Sequence, residues 1–414
     1  MLSEEDNRTL TEVGSGTPMG ELLRRYWMPI AAVSELDQAR IKRVRLMGED
    51  LVLYRDMSGH YGLVDRHCPH RGADLSFGWV DERGLRCHYH GWQWDRSGSC
   101  LAQPFEDVAN GGFKDRVRIK AYKVETKAGL VWAYLGPEPA PLLPTWEPFT
   151  WPNGFVQIVF SEVPCNWVQC QENSIDPIHF EWLHAQWSQT LGVRGLPLRP
   201  HLKVGFDEFE YGFVYRRVVD GQTEQDALWS VGRTCLWPNC LFTGGHFEWR
   251  VPIDDTHTLS VGWFFDRVPN EMEPFAQQSI PAWWSPLKDP VTGEWITSHV
   301  MNQDFAAWVG QGVVADRTKE HLGESDRGII QVRKRLLADA ALVARGGEPK
   351  GLIREPTANE CVSLPVIDRD YFLKGCARAD IPKRRAGPPL GEFPFQAGQP
   401  EEVRVAFRRA MGLD

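Results

Sequence analysis

Two short motifs in the first quarter of the chain each combine one cysteine with one histidine. Residues 68–72 read CPHRG and residues 87–92 read CHYHGW, which gives Cys68-x-His70 and, after sixteen intervening residues, Cys87-x-x-His90. Two thiolates and two imidazoles can bind zinc or an iron–sulfur cluster. In a typical structural zinc site each loop supplies one type of ligand, whereas here each loop supplies one of each. The pattern therefore favours a [2Fe–2S] cluster with two cysteines on one iron and two histidines on the other.

The residues around these motifs suit loops that wrap closely around a cluster. Gly72 and Gly91 follow the two histidines and allow backbone conformations that other residues avoid. We expect Trp92 to shield the cluster from solvent. His67 and His88 are adjacent to the motif residues, but chain alternation points them elsewhere, and we interpret them as non-ligands. The alternative is that both motifs are chance Cys–His pairs in turns.

A second candidate site lies in residues 172–184, which read ENSIDPIHFEWLH. Asp176 before Pro177 is typical of a helix N-terminus, with Asp176 as the N-cap. On a regular α-helix His179 and His184 would lie about 140° apart around the axis. They could then share a metal only near the helix end or on a distorted helix. Two histidines and one carboxylate with open positions form a mononuclear iron(II) site that activates O2, and an upstream cluster could supply its electrons.

The carboxylate of such a site must come from another part of the chain. Asp304 lies in SHVMNQDFAAWVGQG among apolar helical residues, where a bare charge needs a partner such as a metal. Spacing favours Asp304 but leaves competitors open in the charge-rich stretch ADRTKEHLGESDRG, which we expect to be solvated. These competitors are Asp316, Glu320, Glu324 and Asp326.

Composition limits the class of protein. The chain has 414 residues, of which 42% are hydrophobic and 24% charged, and its net charge is −9. The negative charge argues against nucleic-acid binding, which needs clustered positive charge. The sequence contains no run of 18 apolar residues, so no membrane-spanning helix is predicted. The first residues, MLSEEDNRTL, are polar and do not resemble a signal peptide. We therefore expect a cytoplasmic protein. Nine cysteines, an odd number, argue against a disulfide framework.

Hydrophobic patterning predicts an α+β protein of three parts. Thr17 and Pro18 begin a short amphipathic helix within residues 17–34, and residues 1–40 form an N-terminal helical segment. Short alternating strands fill residues 41–145, up to the Pro-rich run PEPAPLLP at 137–144. Residues 146–414 form a larger domain with strands over 203–265, helical character over 177–188 and 298–345, and a C-terminal extension that ends in a short helix.

With both motifs considered together, the chain resembles the oxygenase (α) components of Rieske non-haem iron oxygenases. CPHRG with CHYHGW matches the cluster motif of that family, and NSIDPIH…H matches its iron-site motif in the correct order along the chain. The stretch NQD…WVGQG…DRTKEHLG is similar to the phthalate-dioxygenase-like branch, which lacks β-subunits. Within that branch the general similarity is greatest to aryl O-demethylases that act on lignin-derived acids. The resemblance implies an all-β Rieske domain at 41–145, followed by a helix-grip catalytic domain with an antiparallel sheet.

The resemblance also implies a role for each candidate residue. It implies that Cys68 and Cys87 bind one iron of the cluster and His70 and His90 the other. The catalytic iron would be held by His179, His184 and Asp304. In a head-to-tail homotrimer or a hexamer, Asp176 would connect His90 of one subunit to His179 of the next. Asn173 is a candidate near the iron.

The implied reaction is reductive activation of O2 with electrons from NAD(P)H, delivered by a separate reductase or ferredoxin. Oxidation of a methoxy carbon would give a hemiacetal that loses formaldehyde, whereas attack on the ring would give a cis-dihydrodiol. Two other classes stay open, a Rieske electron carrier and a zinc protein with an apolar cavity. Candidate residues of an aromatic pocket are Trp182, Trp187, Trp263, Trp283 and Trp284. Candidates for binding a substrate carboxylate, which the sequence does not rank, are Arg216, Arg217, Arg233 and Arg250.

Overall fold

The computed structural model describes residues 2–109, 112–186, 199–381 and 393–413. Ten strands form the N-terminal region: β1 Met28–Ala32, β2 Ile41–Leu46, β3 Glu49–Arg55, β4 Tyr61–Asp65, β5 Trp79–Val80, β6 Leu85–Arg86, β7 Gln93–Trp94, β8 Cys100–Ala102, β9 Ala121–Lys127 and β10 Leu130–Tyr134. Six of them pair antiparallel in the order β1-β10-β9-β4-β3-β2. The other four, β5 to β8, form a small sheet inserted between β4 and β9.

The small sheet has its own apolar core, which lies beneath the two Cys–His loops. The loop at 68–72 follows β4, and the loop at 87–92 joins β6 to β7. Both cysteines belong to this core, together with Val52, Tyr54, Val64, Leu75, Leu85, Trp92, Trp94, Cys100 and Ile119. The packing therefore anchors both loops to the same rigid base.

The C-terminal region is built on one large sheet of eight strands. They are β11 Gly154–Val163, β12 His201–Phe209, β13 Gly212–Val219, β14 Arg233–Leu236, β15 Cys240–Phe242, β16 His246–Pro252, β17 Thr258–Arg267 and β18 Ala282–Trp284. Their order is β12-β13-β14-β15-β16-β17-β11-β18. Neighbouring strands pair antiparallel except β11 and β18, which are parallel. The sheet confirms the strands expected over 203–265.

Helices cover parts of both regions. The described α-helices are α1 Glu4–Thr11, α2 Pro18–Leu23, α3 Val33–Gln38, α4 Glu106–Ala109, α5 Trp167–Asn173, α6 Ala227–Ser230, α7 Val300–Gly310, α8 Arg327–Ala344, α9 Arg369–Lys374 and α10 Glu401–Ala410. A π-helix spans Phe180–Gln186. Short 3-10 turns occupy Leu75–Phe77, Lys114–Arg116, Glu147–Thr150, Asn270–Met272, Glu324–Asp326, Pro356–Asn359 and Arg378–Asp380.

Helices α5 and α7 lie on one face of the large sheet and position the second candidate site. Gln171 of α5 contacts Cys235 of β14, and Trp308 of α7 lies against Arg250 of β16. Met301, Phe305 and Trp308 of α7 pack into a core with residues of β11 and β17. An N-terminal β-region followed by an antiparallel sheet that grips helices is the α+β fold expected from the sequence.

The N-terminal helical expectation is only partly correct. Thr17 caps α2 as predicted, since its hydroxyl accepts a hydrogen bond from the Gly20 amide. The helix ends at Leu23, however, and residues 28–32 form strand β1, which pairs with β10. The apolar residues of β1 are all buried because the strand is covered on both faces. Their continuous run gave no alternation that would have distinguished a strand from a helix.

The helical character expected over 177–188 is found in the π-helix at Phe180–Gln186, while residues 187–188 lie outside the described residues. Helices α7 and α8 account for most of 298–345, and α10 is the short C-terminal helix. Part of the Pro-rich arm at 382–400 lies outside the described residues. In the described ranges, no helix combines the length and the apolar character needed to span a bilayer.

Candidate functional site

The two Cys–His loops have the same backbone geometry. The Gly72 amide donates to the Cys68 carbonyl at 2.8 Å, and the Gly91 amide donates to the Cys87 carbonyl at 3.0 Å. Both glycines have positive φ, 72° and 75°, a conformation that costs other residues free energy. Each loop therefore turns back on its own cysteine, so the predicted role of these glycines has a structural basis.

The four predicted cluster residues come together with the thiols inside and the imidazoles outside. Cys68 and Cys87 are 1% and 2% exposed. The hydrogen bond between their thiols raises the pKa of Cys68 and lowers that of Cys87 to about 5. The His70 and His90 rings lie 4.5 Å apart, centre to centre, and His90 is exposed. A group bound here would have a buried sulfur side and an accessible histidine side.

The surroundings of the cysteines fit an iron–sulfur cluster. Backbone amides of Tyr89 and His90 hydrogen-bond to the Cys87 sulfur and stabilise its thiolate form. The Trp92 ring stacks on His70 at 4.3 Å with an interplanar angle of 3°, and Trp92 is buried. Trp92 thus covers one side of the loops, in agreement with the shielding role expected for it. The described donors fit a cluster with two thiolate and two imidazole ligands.

His179 directly precedes the π-helix of residues 180–186, and His184 lies within it. A π-helix hydrogen-bonds from residue i to i+5, so side chains five residues apart lie much closer to one face than they would on an α-helix. The two rings are 5.2 Å apart, centre to centre. This is the helix distortion that a shared metal requires.

Asp304 of α7 faces both histidines. Its Oδ1 atom lies 3.5 Å from Nε2 of His184 and 3.9 Å from Nε2 of His179. One donor atom from each of the three residues lies within 4.8 Å of the others. Metal–ligand bonds of about 2 Å place donors at such separations, so the two imidazoles and one carboxylate fit a single mononuclear iron.

Burial and hydrogen bonding set the protonation of these groups. Burial raises the pKa of Asp304 to about 7, against the opposing effect of His179. Burial also lowers the pKa of His184, and Gln303 partly offsets this. Neutral imidazole is the form that binds a metal, so the environment of His184 favours binding.

Asn173 and Asp176 both contact the cluster of donors. The Asn173 amide donates to Oδ1 of Asp304 at 3.2 Å. Oδ2 of Asp176 lies 3.5 Å from Nδ1 of His179, and its Oδ1 accepts from the Ile178 amide at 2.8 Å. Burial alone would raise the pKa of Asp176, but its interactions with His179 and Ile178 leave it below the usual value. Asp176 therefore combines the capping contact expected of it with a contact to a histidine.

The competing carboxylates have other partners. Asp316 pairs with Lys319, Glu324 with Arg327, and Asp326 accepts from the Gly323 amide. Glu320 departs from the expectation of a solvated stretch because it is half-buried against Arg333 at 2.6 Å. In the described ranges, Asp304 is the carboxylate that forms a three-residue His/Asp group with both histidines.

Sequence reasoning missed Gln303 and Glu248. Oε1 of Gln303 lies 2.8 Å from Nδ1 of His184, and Glu248 is buried between His246 and Arg250. Gln303 directly precedes Asp304, so its side chain could have been suspected from proximity alone. Glu248 lies on a strand far from both motifs, and no local signal identifies it.

Within the described ranges, none of the tryptophan candidates makes a ring contact with His179 or His184. Trp263 donates from Nε1 to the Ala128 carbonyl in the N-terminal region, and Trp283 donates to Gln157 within the core. Trp182 and Trp284 are exposed, and Trp187 lies outside the described residues. Trp308 lies on the helix that carries Asp304, but it is not among the candidates identified from the sequence.

Family models match two segments of the chain. The Rieske [2Fe-2S] domain matches residues 26–122, which include all four cluster residues. A family described as LigXa C-terminal domain like matches residues 289–368, which include Asp304.

Curated relatives match along most of the sequence. The chain is 58% identical over its whole length to the 5,5'-dehydrodivanillate O-demethylase oxygenase subunit of Sphingobium sp. (strain NBRC 103272 / SYK-6), covering 98% of that protein. It is 33% identical to the phenoxybenzoate dioxygenase subunit alpha of Ectopseudomonas oleovorans, with 83% of this chain and 87% of that protein covered. It is 32% identical to the phthalate 4,5-dioxygenase oxygenase subunit of Pseudomonas putida, with 84% of this chain and 88% of that protein covered.

Solved structures share the fold at low sequence identity. The NdmA QL mutant of Pseudomonas putida CBB5 with theobromine superposes with a TM-score of 0.58 and 22% identity, covering 80% of this chain and 94% of that one. The 58% identity to the O-demethylase subunit, which extends over the whole of this chain, shows the family. The chain belongs to the Rieske non-haem iron oxygenases, as an oxygenase subunit with a Rieske [2Fe–2S] cluster, a mononuclear iron and electrons from a separate reductase.

Proposed function

We propose that this oxygenase subunit removes the methyl group of a methoxylated aromatic carboxylate. The observation that carries the proposal is 58% identity, over the whole of this chain, to an O-demethylase oxygenase subunit. The balanced reaction consumes the aryl methyl ether, O2, two electrons and two protons. It yields the phenol, formaldehyde and water.

We assign the cluster and the iron to the residues that the sequence predicted. Cys68 and Cys87 bind the inner iron of the cluster, and His70 and His90 bind the outer iron. Buried thiols and an exposed His90 support this order. The mononuclear iron is held by three residues, His179, His184 and Asp304.

Bound iron supplies the binding and reductive activation of O2 at this site. The protein controls the geometry and protonation of the ligands. Gln303 orients the imidazole of His184, and the Asn173 amide restrains the carboxylate of Asp304. The low accessibility of His184 and Asp304 restricts water, which would otherwise compete with substrate.

Asp176 connects the two centres across a subunit boundary in this proposal. It accepts from the imidazole of His179 on one side and from His90 of a neighbouring subunit on the other. The 3.5 Å separation between Asp176 and His179 and the exposure of His90 support such a bridge. The arrangement requires a ring of subunits, and we propose a homotrimer or a hexamer.

The electron donor is a ferredoxin or a reductase that draws on NAD(P)H. Structures of the same fold include complexes between oxygenase and ferredoxin of carbazole 1,9a-dioxygenase, which support this type of partner. Use of NAD(P)H supports a cytoplasmic location. We further propose functional units at 1–40, 41–145 and 146–414, with strand β1 of the first unit completing the sheet of the second. The third unit is the catalytic domain with its C-terminal extension.

An NADH-driven assay with a reductase tests the reaction. The substrates are 5,5'-dehydrodivanillate, monomeric methoxybenzoates and phthalate, and both formaldehyde and ring products are measured. We expect one formaldehyde per substrate consumed and one new phenol. A cis-dihydrodiol without formaldehyde would replace O-demethylation with ring dihydroxylation, and electron transfer without substrate oxidation would indicate an electron carrier.

A further inference from the structure

Two arginines, Arg217 and Arg233, lie on the face of the large sheet that packs against Phe180, the residue after His179. Tyr215 of β13 is directly opposite Arg233 of β14, so both side chains lie on the same face of the sheet. Arg217 follows Tyr215 by two residues and shares that face. The guanidinium groups of Arg217 and Arg233 lie 4.6 Å and 4.4 Å from the centre of the Phe180 ring.

Three of the four arginines considered from the sequence are neutralised within the protein. Arg217 binds Glu181 at 3.1 Å, and Arg250 binds Glu248 at 2.7 Å. Arg216, on the opposite face of β13, binds Asp207 at 2.7 Å. None of these guanidinium groups needs a ligand to balance its charge.

Arg233 differs from the others because its contacts are neutral. It is the cross-strand neighbour of Tyr215, and its guanidinium lies over the ring of Phe180. In the part of the chain that the structure describes, no carboxylate forms an ion pair with it, although it is half-buried. Removing a guanidinium from water without an anionic partner is unfavourable, so an anion bound at this position would be stabilised.

The position of Arg233 is next to the proposed iron site. The ring of Phe180 lies between, with its centre 5.3 Å from that of His184 and 4.9 Å from that of His179. A ligand that reached the guanidinium would therefore lie beside the two histidines.

We propose that Arg233 binds the carboxylate of the aromatic substrate and thereby selects for acids, an inference that rests on the proposed function. The planar guanidinium presents paired N–H groups that match the two oxygens of a carboxylate. Burial raises the pKa of Tyr215, so its hydroxyl stays protonated and adds a hydrogen-bond donor. The names of the relatives, phenoxybenzoate, phthalate and 3-chlorobenzoate dioxygenases, denote aromatic acids and support an anionic ligand.

The test measures binding to the full-length, iron-loaded protein without O2. Equilibrium dialysis gives the Kd of 5,5'-dehydrodivanillate and of its dimethyl ester, which keeps the ring system and lacks the charge. The variants are Arg233→Gln, Arg233→Lys and the control Arg216→Gln. The visible spectrum of the cluster shows that each variant is folded and loaded.

We expect the wild-type protein to prefer the acid over the ester. Arg233→Gln should weaken binding of the acid about 10- to 100-fold and change binding of the ester less than about threefold. Arg233→Lys keeps the positive charge but lacks the paired N–H groups of the guanidinium, so its Kd for the acid should lie between those of the wild type and Arg233→Gln. Arg216→Gln should match the wild type. The Lys variant and the wild-type preference keep the test informative if Arg233→Gln does not fold.

Three results would overturn the proposal. They are equal affinity of the wild-type protein for acid and ester, an unchanged Kd for the acid in Arg233→Gln, and equal weakening of acid and ester. Formaldehyde release is measured separately under turnover. A wild-type protein that selects the acid through Arg233 but releases no formaldehyde would refute the proposed O-demethylation and leave the carboxylate site intact.

Discussion

Nδ1 of His184 lies 2.8 Å from Oε1 of Gln303, while Nε2 of the same ring faces Asp304 at 3.5 Å. The amide nitrogen of Gln303 donates to the Thr297 carbonyl at 2.9 Å, which leaves its oxygen to accept from His184. Nδ1 must then carry the proton, and the lone pair of Nε2 points toward Asp304. Two consecutive residues of α7 therefore fix both sides of one imidazole.

Replacing Gln303 should weaken iron binding without affecting the cluster. In Gln303→Leu the proton on Nδ1 loses its acceptor and the ring loses its orientation, which we expect to lower the affinity for iron about 10- to 100-fold. Titration of metal-depleted protein with Fe(II) measures the change. Gln311→Leu, an exposed position at the end of the same helix, is the control. An unaltered affinity in Gln303→Leu would show that the tautomer is set by other groups.

The raised pKa of Asp304 predicts an unusual pH dependence for protein without the mononuclear iron. A carboxyl that titrates near pH 7 when folded and near 4 when unfolded binds more protons in the folded state between these values. The stability that Asp304 contributes is therefore fully present below about pH 4 and is lost as pH rises through about 7.

Asp304→Asn removes this titration. In the metal-free state we expect the variant to be more stable than the wild type at pH 8, by roughly 4 kcal/mol, with a smaller difference at pH 5. Urea unfolding at both pH values measures the difference. A variant that is less stable than the wild type at pH 8 would mean that the carboxylate is ionised and well paired in the metal-free site.

Asp176→Asn tests the proposed connection between the two centres. Both metals should remain bound, because neither assigned ligand set includes Asp176. Reoxidation of the reduced cluster by O2 and substrate should nevertheless slow at least tenfold, since an amide cannot replace the carboxylate that the proposed bridge between two imidazoles requires. Stopped-flow absorbance follows the cluster, with the exposed Asp220→Asn as control. Reoxidation at the normal rate would remove the bridge from the mechanism.

The helix that carries Asn173 is held by a buried ion cluster. Glu172 contacts Arg317 at 2.8 Å and Arg333 at 2.6 Å. Burial alone would raise the pKa of its carboxyl, but the two arginines outweigh burial and lower it. Glu172→Gln leaves two guanidinium groups without this charge, which costs about 3–5 kcal/mol. We expect the melting temperature to fall by roughly 5 °C or more. Glu324→Gln, which breaks an exposed pair, should leave it nearly unchanged, and equal effects would argue against the cluster as a stabilising element.

The cluster site was largely predictable because its information is local. Cys68, His70, Cys87 and His90 lie within two short loops, and each loop carries its own glycine and its own pair of ligands. The β-rich patterning around them was also sufficient to predict the sheet. The exception was β1, whose uniformly apolar residues resemble a helix as much as a buried strand.

The second site was less predictable because its geometry depends on distant contacts. Spacing alone placed His179 and His184 on different sides of an α-helix, and only the π-helix brings them together. The ranking of the arginines required their ion-pair partners, and Glu181, the partner of Arg217, is distant from it in sequence. Both cases depend on tertiary packing that a single sequence does not display.

Metal and sulfide content per chain tests the central claim, that two iron centres share this polypeptide, most directly. The account predicts three irons and two acid-labile sulfides in the wild-type protein. In Asp304→Ala it predicts two irons, two sulfides, an intact cluster spectrum and no turnover. Two irons in the wild-type protein, zinc in place of iron, or full activity of Asp304→Ala would contradict it.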